Sequence, residues 1–427
     1  MRTVREFTLL AGETLALWVR AFPRLGFWFC VGYLIRTAGL WASLAIGPSN
    51  LLLSTLAFIV GEVGFIAGLL LMLHSARSEL WCPQRLAAGQ RAGVPDSVFH
   101  PDPATTTLLL ALGPFLAVYS VWGMVDDRIA AVFQGNVQAF GLDAAAWSVS
   151  FAFWPIYAAI AVVALGLRLL LSKALGQRDG WWQAPVLLLE GVWVFASFFV
   201  LTHLGGRALD WLTSRAFWVG AENAWYAFAD LLPDIPLFGP FEGWTMPQLA
   251  QESWAWFWST FVPGLSTALF LPLVWLALTA VVHGWREFRA ADVLAGTPVA
   301  RLTGRTLPRW AEWATDDLRH KYLPVISALR LILAAGPRFL GAYLVLATLL
   351  RVGQEWLNWL LAMVVGELPI NEAVAYGYLR DFVSAFLGTT LLAALYLAAF
   401  DRGVAETTKL GWREPRRIRR PVSAESA

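Results

Sequence analysis

Long apolar stretches are the feature of this sequence that most restricts its fold. Eight of them alternate with polar segments, and each has about the 20 residues that a helix needs to cross a bilayer core of roughly 30 Å. Because a backbone in lipid must satisfy its own hydrogen bonds, we expect every stretch to be helical. The predicted spans are 25–46, 51–73, 105–125, 147–170, 185–207, 258–283, 339–364 and 376–400.

The rest of the composition agrees with a surface that faces lipid. Only 15% of the residues are charged and 58% are hydrophobic, whereas about a quarter of a soluble chain is charged. The 24 tryptophans suit membrane–water interfaces, where the ring lies in apolar material and its N–H reaches water. A net charge of +2 makes nucleic acid a poor partner. The sequence therefore predicts an all-α fold, a polytopic membrane helix bundle.

The distribution of Lys and Arg predicts the orientation of this bundle, because cytoplasmic segments of membrane proteins are enriched in both residues. If the N-terminus is cytoplasmic, the segments on that side hold 26 of the 32 Lys and Arg residues. We therefore expect both termini to be cytoplasmic, in a multi-pass protein of the plasma membrane such as a bacterial inner membrane. The predicted cytoplasmic segments are 1–24, 74–104, 168–183, 285–338 and 401–427.

The spans pair into four predicted hairpins, joined by polar segments of different character. An amphipathic helix is expected before the first hairpin, with a corner at Pro23 and Arg24, and another before the fourth. In chain order the segments are 1–104 with the first amphipathic helix, the first hairpin and a cytoplasmic loop; 105–183 with the second hairpin; 184–284 with the third hairpin and a Trp-rich extracytoplasmic segment, 207–258; 285–338, a basic cytoplasmic loop and amphipathic helix; 339–400, the fourth hairpin; and 401–427, a basic cytoplasmic tail.

Two of the spans share a residue pattern that predicts an internal repeat. In each, an arginine follows a glycine by ten residues and a tryptophan follows the arginine by five. The alternative is that small residues recur by chance at membrane borders. Both copies would enter the membrane from the cytoplasm, so the repeat is parallel, unlike the inverted repeats of many secondary transporters. The matching residues are Gly26, Arg36 and Trp41 in the first span and Gly341, Arg351 and Trp356 in the seventh.

Four charged residues lie near the middle of predicted spans, where one charge costs about 2.5–3.5 kcal/mol. Arg36 and Glu62 fall at the same depth in neighbouring antiparallel spans and are expected to pair. Arg351 and Glu355 are one turn apart on one helix, the spacing at which side chains meet. Two interpretations remain open for these four residues. They line a proton or anion pathway or a headgroup-binding site, or they form ion pairs that hold helices together.

The long outer segment contains three tryptophans at seven-residue intervals, Trp211, Trp218 and Trp225. Such spacing places them on one side of a helix, which is typical of a helix lying in the headgroup layer with its aromatic rings buried. We therefore predict that they anchor the segment at the interface. A lid or a surface that docks a partner is the alternative, because the segment is too long for a simple connection.

Asp126 and Asp127 follow the third span on its predicted outer side, where a lipid-active transferase could hold its acidic residues. Adjacent acidic residues are also common at span borders without any catalytic role. The sequence contains no phosphate-binding loop, zinc-protease, nucleophile-elbow or paired-cysteine motif. We therefore predict no metal site and no cofactor, and we expect that the protein is not an enzyme.

These features favour a transport-associated protein of the cell envelope, permease-like or accessory, or a scaffolding component. The alternative is a membrane-embedded, lipid-active transferase that uses the outer acidic pair. Anionic headgroups of the cytoplasmic leaflet are expected partners, because basic residues near a membrane surface contribute about 1 kcal/mol each. A protein subunit or a second copy of the chain is a further expected partner.

Overall fold

The computed structural model describes residues 2–81, 104–121, 126–141, 154–175, 180–237, 243–284, 336–366 and 369–407. Helices account for 92% of these residues, and no strand occurs among them. The predicted all-α fold is thereby confirmed. The predicted basic loop and tail fall almost entirely outside the described residues, in 285–335 and 408–427.

Eleven α-helices account for most of the described part of the chain. They are α1 (Arg2–Ile46), α2 (Leu51–Ser75), α3 (Ala104–Val121), α4 (Asp126–Phe140), α5 (Trp154–Leu175), α6 (Ala184–Thr213), α7 (Ala216–Asp230), α8 (Met246–Trp256), α9 (Val262–Val282), α10 (Pro337–Val365) and α11 (Ile370–Thr407). A five-residue π-helical segment, Phe257–Phe261, joins α8 to α9 without a break.

Six helical segments are long and apolar enough to cross a membrane, within the part of the chain that the structure describes. The chain is therefore a multi-pass membrane protein. The six are Val4–Ile46, Leu51–Glu79, Trp154–Leu175, Ala184–Thr213, Met246–Val282 and Ala375–Ala405. The other two predicted spans, 105–125 and 339–364, coincide with α3 and α10, which are helical but are not among the six.

The first helix differs from the sequence prediction. The sequence indicates a corner at Pro23 between an amphipathic helix and the first span, whereas α1 continues through Pro23 as one helix of 45 residues. Proline removes one backbone hydrogen bond, but membrane helices tolerate this because neighbouring groups satisfy the freed carbonyl. The amphipathic segment and the first span are thus parts of one helix.

The chain divides into two compact units. Unit 1 contains Met1–Trp28, Leu71–Thr107 and Trp275–Ala427, and unit 2 contains Phe29–Leu70 and Leu108–Val274. Each unit therefore combines segments that are distant in sequence. The division falls inside four of the helices, α1, α2, α3 and α9.

Aromatic side chains fill the interior of unit 2. Tyr157 of α5 stacks on Phe199 of α6 with ring centroids 4.2 Å apart, and both rings are fully buried. Phe195, one turn before Phe199, contacts Phe58 of α2 edge to face at 6.0 Å. The four-residue spacing of Phe195 and Phe199 places both rings on one face of α6, so this helix packs against α2 and α5.

Unit 1 is built where α10 packs against α11. Tyr343 of α10 lies edge to face with Tyr396 of α11, and Trp275 stacks on Tyr396 with ring planes only 12° apart. The N-terminal part of α1 joins this unit through Trp18, whose indole N–H donates to the Thr390 hydroxyl at 3.1 Å. Tertiary contacts thus connect the two ends of the chain.

A hairpin of two shorter helices, α7 and α8, lies between α6 and α9 in the chain. Arg215 and Leu231 flank α7, and α8 begins at a capping box in which the Gln248 side chain accepts the Thr245 N–H at 3.0 Å. The loop between the helices is closed by hydrogen bonds such as Met246 N–H to Ile235 O, 3.1 Å long.

Candidate functional site

Arg36 and Glu62, which the sequence predicts to pair, are in contact in the structure. α1 and α2 run antiparallel from a tight turn at residues 47–50, so that the middle of one helix faces the middle of the other. The Arg36 Nε donates to the Glu62 Oε1 at 3.1 Å, and the side chains are only 9% and 3% exposed. The Phe65 ring covers the guanidinium at 4.5 Å, a cation–π contact.

Glycines allow α1 and α2 to approach closely at this pair. A Cβ at Gly39 would lie 2.6 Å from the Cα of Gly61, closer than atoms can pack. A Cβ at Gly32 would lie 3.1 Å from the Phe65 carbonyl oxygen. Small residues at helix interfaces permit such backbone contact in membranes. The ion pair is therefore enclosed by two helix backbones in direct contact.

Two serines fix the register of the same hairpin near its turn. The Ser54 hydroxyl donates to the Ser43 carbonyl oxygen at 2.8 Å, and the two hydroxyl oxygens are 2.9 Å apart. Both side chains are buried. Because a hydrogen bond between neighbouring membrane helices requires a matched depth, this contact aligns Arg36 with Glu62.

A second buried ion pair, between Arg168 and Glu190, was not found from the sequence. Arg168 lies near the end of α5 and Glu190 near the start of α6, and the Glu190 side chain is only 2% exposed. By its position in the sequence, Glu190 is an ordinary charge near the inner end of the predicted span 185–207. The signal that could have identified the pair is the short connection, because it places both residues about two turns from it.

A third cluster lies in unit 1, where Arg402 of α11 meets two glutamates of α1. The Arg402 guanidinium pairs with Glu6 and, at 3.6 Å, with the Glu13 carboxylate. Its neighbour Asp401 accepts the backbone N–H of Trp81 at 3.1 Å. No pattern in the sequence singled out these residues, since their partners lie more than 300 positions away. The cluster joins α11 to the helix at the other end of the chain.

Arg351 has a different environment from the one that the sequence predicts. Glu355, its expected partner one turn later, is exposed, and within the described residues no ion pair joins it to Arg351, which instead lies close to Tyr396 of α11. An arginine placed four residues before a glutamate is in the less favourable order for a helical ion pair. Helical side chains also point toward the N-terminus, which directs Arg351 away from Glu355.

The four charged residues of the predicted site therefore belong to two separate arrangements. Arg36 and Glu62 lie in unit 2, whereas Arg351 and Glu355 lie in unit 1. α4 begins at Asp126, but the side chains of Asp126 and Asp127 fall outside the described residues. The acidic pair predicted on the outer side thus stays a prediction.

The tryptophans of the outer segment belong to two helices. The helix break at Ser214 and Arg215 leaves Trp211 on α6, where the Arg215 guanidinium lies over its ring at 4.2 Å. The prediction that Trp211, Trp218 and Trp225 share one helix face is therefore wrong. α6 ends at Ser214, before α7 begins, so the three residues do not lie on one helix.

Trp218 and Trp225 instead pack into the hairpin of α7 and α8. The Trp218 ring lies 5.1 Å from Trp258, and the Trp225 ring lies 6.0 Å from Trp254. The Trp225 indole N–H also donates to the Ala250 carbonyl oxygen at 2.8 Å. These rings contribute to packing of the hairpin. Their role as interfacial anchors stays a prediction.

Comparison with known proteins finds no matching family model, no similar curated protein and no similar solved structure. The apolar helices establish the class, a multi-pass membrane protein. Any assignment of function within that class has to come from the geometry of the charged residues.

Proposed function

We propose that this chain is a non-catalytic component of the cell envelope membrane, either an accessory subunit of a transport system or a scaffold. The observation that supports this proposal best is the enclosed pair of Arg36 and Glu62. The two charges of this hairpin pair with each other, and their side chains are only 9% and 3% exposed. A component of this kind acts through its stable shape and its partners.

The surroundings of the pair count against an ion pathway through this hairpin. A charge that moves a proton or an anion must be reached by water, as in the water-filled cavities where functional membrane charges usually lie. The Glu62 Oε2 and the Arg36 Nη2 are both buried from solvent. The contact of Gly39 with Gly61 closes the space beside them.

The proposal includes the topology predicted from the sequence: eight spans, both termini in the cytoplasm, and a parallel repeat. α3 and α10 occupy the positions of the two predicted spans that are not among the six apolar helices. The concentration of Lys and Arg in the predicted cytoplasmic segments supports the orientation. Anionic headgroups and a protein subunit or second copy are the proposed partners.

The test replaces the ion pair by apolar residues of similar length in a host strain whose own copy of the gene is deleted. A buried pair can be exchanged for apolar residues without loss of stability when both charges are removed together. We expect the double variant Arg36→Met with Glu62→Leu to complement the deletion as well as the wild-type chain does. Arg36→Met alone is the control that leaves a buried carboxylate without its partner.

Membrane abundance and thermal melting of the purified double variant show whether it folds. A double variant that folds like the wild-type protein but fails to complement the deletion would mean that the charges themselves carry the function. That result would contradict a scaffold or accessory role and would favour transport through the pair. The transferase alternative depends on Asp126 and Asp127, and nothing in the described geometry favours it.

A further inference from the structure

We propose that an exposed apolar stripe on α7 binds an amphipathic helix of another protein, one that carries Lys or Arg beside its apolar face. The stripe consists of Phe217, Ala221, Ala224, Phe228 and Leu231. This inference rests on the proposed accessory or scaffolding role, because it names the surface through which such a component meets its partner and the chemistry of that partner.

The five residues of the stripe lie on one face of α7 and are all exposed. They follow one another at intervals of four and three residues, which is the spacing of a face that packs against a second helix. Phe217, Phe228 and Leu231 are 65%, 51% and 82% exposed, and the two alanines between the rings are exposed as well. A continuous apolar face left exposed in this way is typical of an interaction site.

α7 packs against its neighbour in the hairpin through a different face. The Trp218 ring contacts Trp258, the Trp225 ring contacts Trp254, and Ala229 is fully buried. At 3.6 residues per turn, positions 218, 225 and 229 lie about 100° around the helix from the stripe. α7 therefore has two apolar faces, and the described part of the chain covers only one of them.

The outer part of the stripe lies too far from the predicted span 258–283 for lipid to cover it. α8 continues into α9 as one helix, and the Trp225 indole binds the Ala250 carbonyl oxygen, eight residues before Trp258. This point is about 12 Å beyond the end of the span, and a tilt of about 20° shortens the distance by less than about 1 Å. A headgroup layer is roughly 5–8 Å deep. Phe228 and Leu231 follow Trp225 toward the tip of the hairpin, so both lie beyond the headgroups.

The charge of the hairpin favours a basic partner. Residues 216–237 and 243–256 contain no Lys, Arg or His, and they contain four acidic residues, Glu222, Asp230, Asp234 and Glu252. Helices that lie on membranes typically carry Lys and Arg on their polar face, so this hairpin is unsuited to anionic headgroups. A helix with Lys or Arg beside its apolar face is instead attracted to the hairpin.

A second copy of this chain would fit the stripe poorly. Two copies in one membrane are related by an axis along the membrane normal, and α7 runs alongside α8, so the two stripes would pair in parallel. Each ring would then meet the same ring of the other copy, which holds the helices apart and leaves gaps between the alanines. The acidic residues of both hairpins would also be brought together. A different helix can place large side chains opposite Ala221 and Ala224 and fill this space.

The test measures binding of two designed peptides to the full-length protein in phosphatidylcholine nanodiscs, which carry no net charge. Each peptide is a helix of about three heptads with leucine on its apolar face. One peptide carries Lys beside this face and the other carries Glu. We expect the Lys peptide to bind at least about tenfold more tightly than the Glu peptide, because like charges oppose each other across an interface. Empty nanodiscs measure the binding of each peptide to lipid alone.

Ala224→Gln tests whether the peptide binds at the stripe. The amide would be buried at the centre of the interface without a hydrogen-bond partner, so the Lys peptide should bind about tenfold more weakly. Val219→Gln is the matched control, because Val219 is 40% exposed on the same helix and lies about 160° around it from the stripe. Thermal melting shows whether the variants fold. If Ala224→Gln does not fold, Phe217→Ser decides the test.

Three results would overturn the proposal. The first is equal binding of the two peptides, or equal binding of the Lys peptide by the wild-type and Ala224→Gln proteins. The second is a dimer in native mass spectrometry that Ala224→Gln makes monomeric, which would assign the stripe to a second copy. The third is a nitroxide label on Ala224→Cys, in a chain without its own two cysteines, that collides more with oxygen than with a water-soluble nickel complex. Such a label would lie in lipid.

The peptide experiment can fail without affecting the proposed function. Complementation by the double variant of Arg36 and Glu62 tests that function and does not involve α7. Normal complementation by this double variant together with equal peptide binding would therefore overturn the docking surface alone.

Discussion

Gly39 lies opposite Gly61 in the first hairpin, with so little space that a Cβ on Gly39 would meet the Cα of Gly61 at 2.6 Å. Gly39 comes one turn after Arg36, and Gly61 directly precedes Glu62. Close backbone contact and the buried ion pair are therefore one arrangement. The glycines bring the helices together, and the shortened distance lets the two charges meet.

Gly39→Ala should therefore destabilise the hairpin, although alanine is the better helix former by about 1 kcal/mol. One added methyl must push the backbones of α1 and α2 apart, and overpacking of this kind costs about 1–3 kcal/mol. Gly166→Ala in α5 is the control, because nothing lies within 4 Å of a Cβ at that position. Thermal melting in one detergent should show a lower Tm for Gly39→Ala and an unchanged or higher Tm for Gly166→Ala. Equal Tm values would mean that the helices are not in contact at Gly39.

Arg36 and Glu62 should show strong coupling in a double-mutant cycle. Arg36→Ala alone leaves a buried carboxylate without its partner, which costs about 3–5 kcal/mol. The double change with Glu62→Ala removes both charges, so it should harm stability and membrane abundance less than the sum of the two single changes. If the effects of the single changes simply add, the pair does not form in the membrane.

Arg402 and Arg380 should respond differently to the same substitution. Arg402 is 5% exposed and pairs with Glu6 and Glu13, so Arg402→Met leaves two carboxylates without this counter-charge. Arg380 pairs with Asp381 at 31% and 58% exposure, and an exposed pair contributes at most about 1 kcal/mol. We expect a large loss of thermal stability for Arg402→Met and little change for Arg380→Met.

Limited proteolysis shows whether the lower thermal stability of Arg402→Met comes from a weaker attachment of α1 to α11. Without Arg402, the N-terminal part of α1 loses an attachment to α11 and should be cleaved faster than in the wild-type chain. Similar cleavage rates in Arg402→Met and Arg380→Met would show that the cluster does not hold the N-terminus.

Local periodicity and charge were sufficient to predict the helices and the pair of Arg36 and Glu62. That pair could be predicted because a short turn between two apolar helices fixes which residues share a depth. The same reasoning applied to Arg168 and Glu190 would have succeeded, since their connection is also short. Both residues lie near helix ends, however, where charges are ordinary and do not by themselves indicate a pair.

Contacts between distant segments could not be predicted in this way. Spacing predicts that Arg351 meets Glu355 on its own helix, whereas Arg351 lies close to Tyr396, which belongs to the following helix. The seven-residue spacing of the outer tryptophans was also misleading, because it assumed one helix across Ser214. Residue spacing predicts which side chains share a face only within one helix. Where a helix ends between two residues, their spacing no longer predicts a shared face.

The pair of Arg36 and Glu62 also determines how the first hairpin is made. The two residues are 26 positions apart, so a ribosome adding about 5–20 residues per second completes Arg36 roughly 1–5 s before its counter-ion. During that interval α1 alone would carry an unneutralised charge into lipid, at about 2.5–3.5 kcal/mol. We therefore expect release of α1 from the insertion machinery to be more favourable once α2 has emerged, because pairing with Glu62 neutralises Arg36.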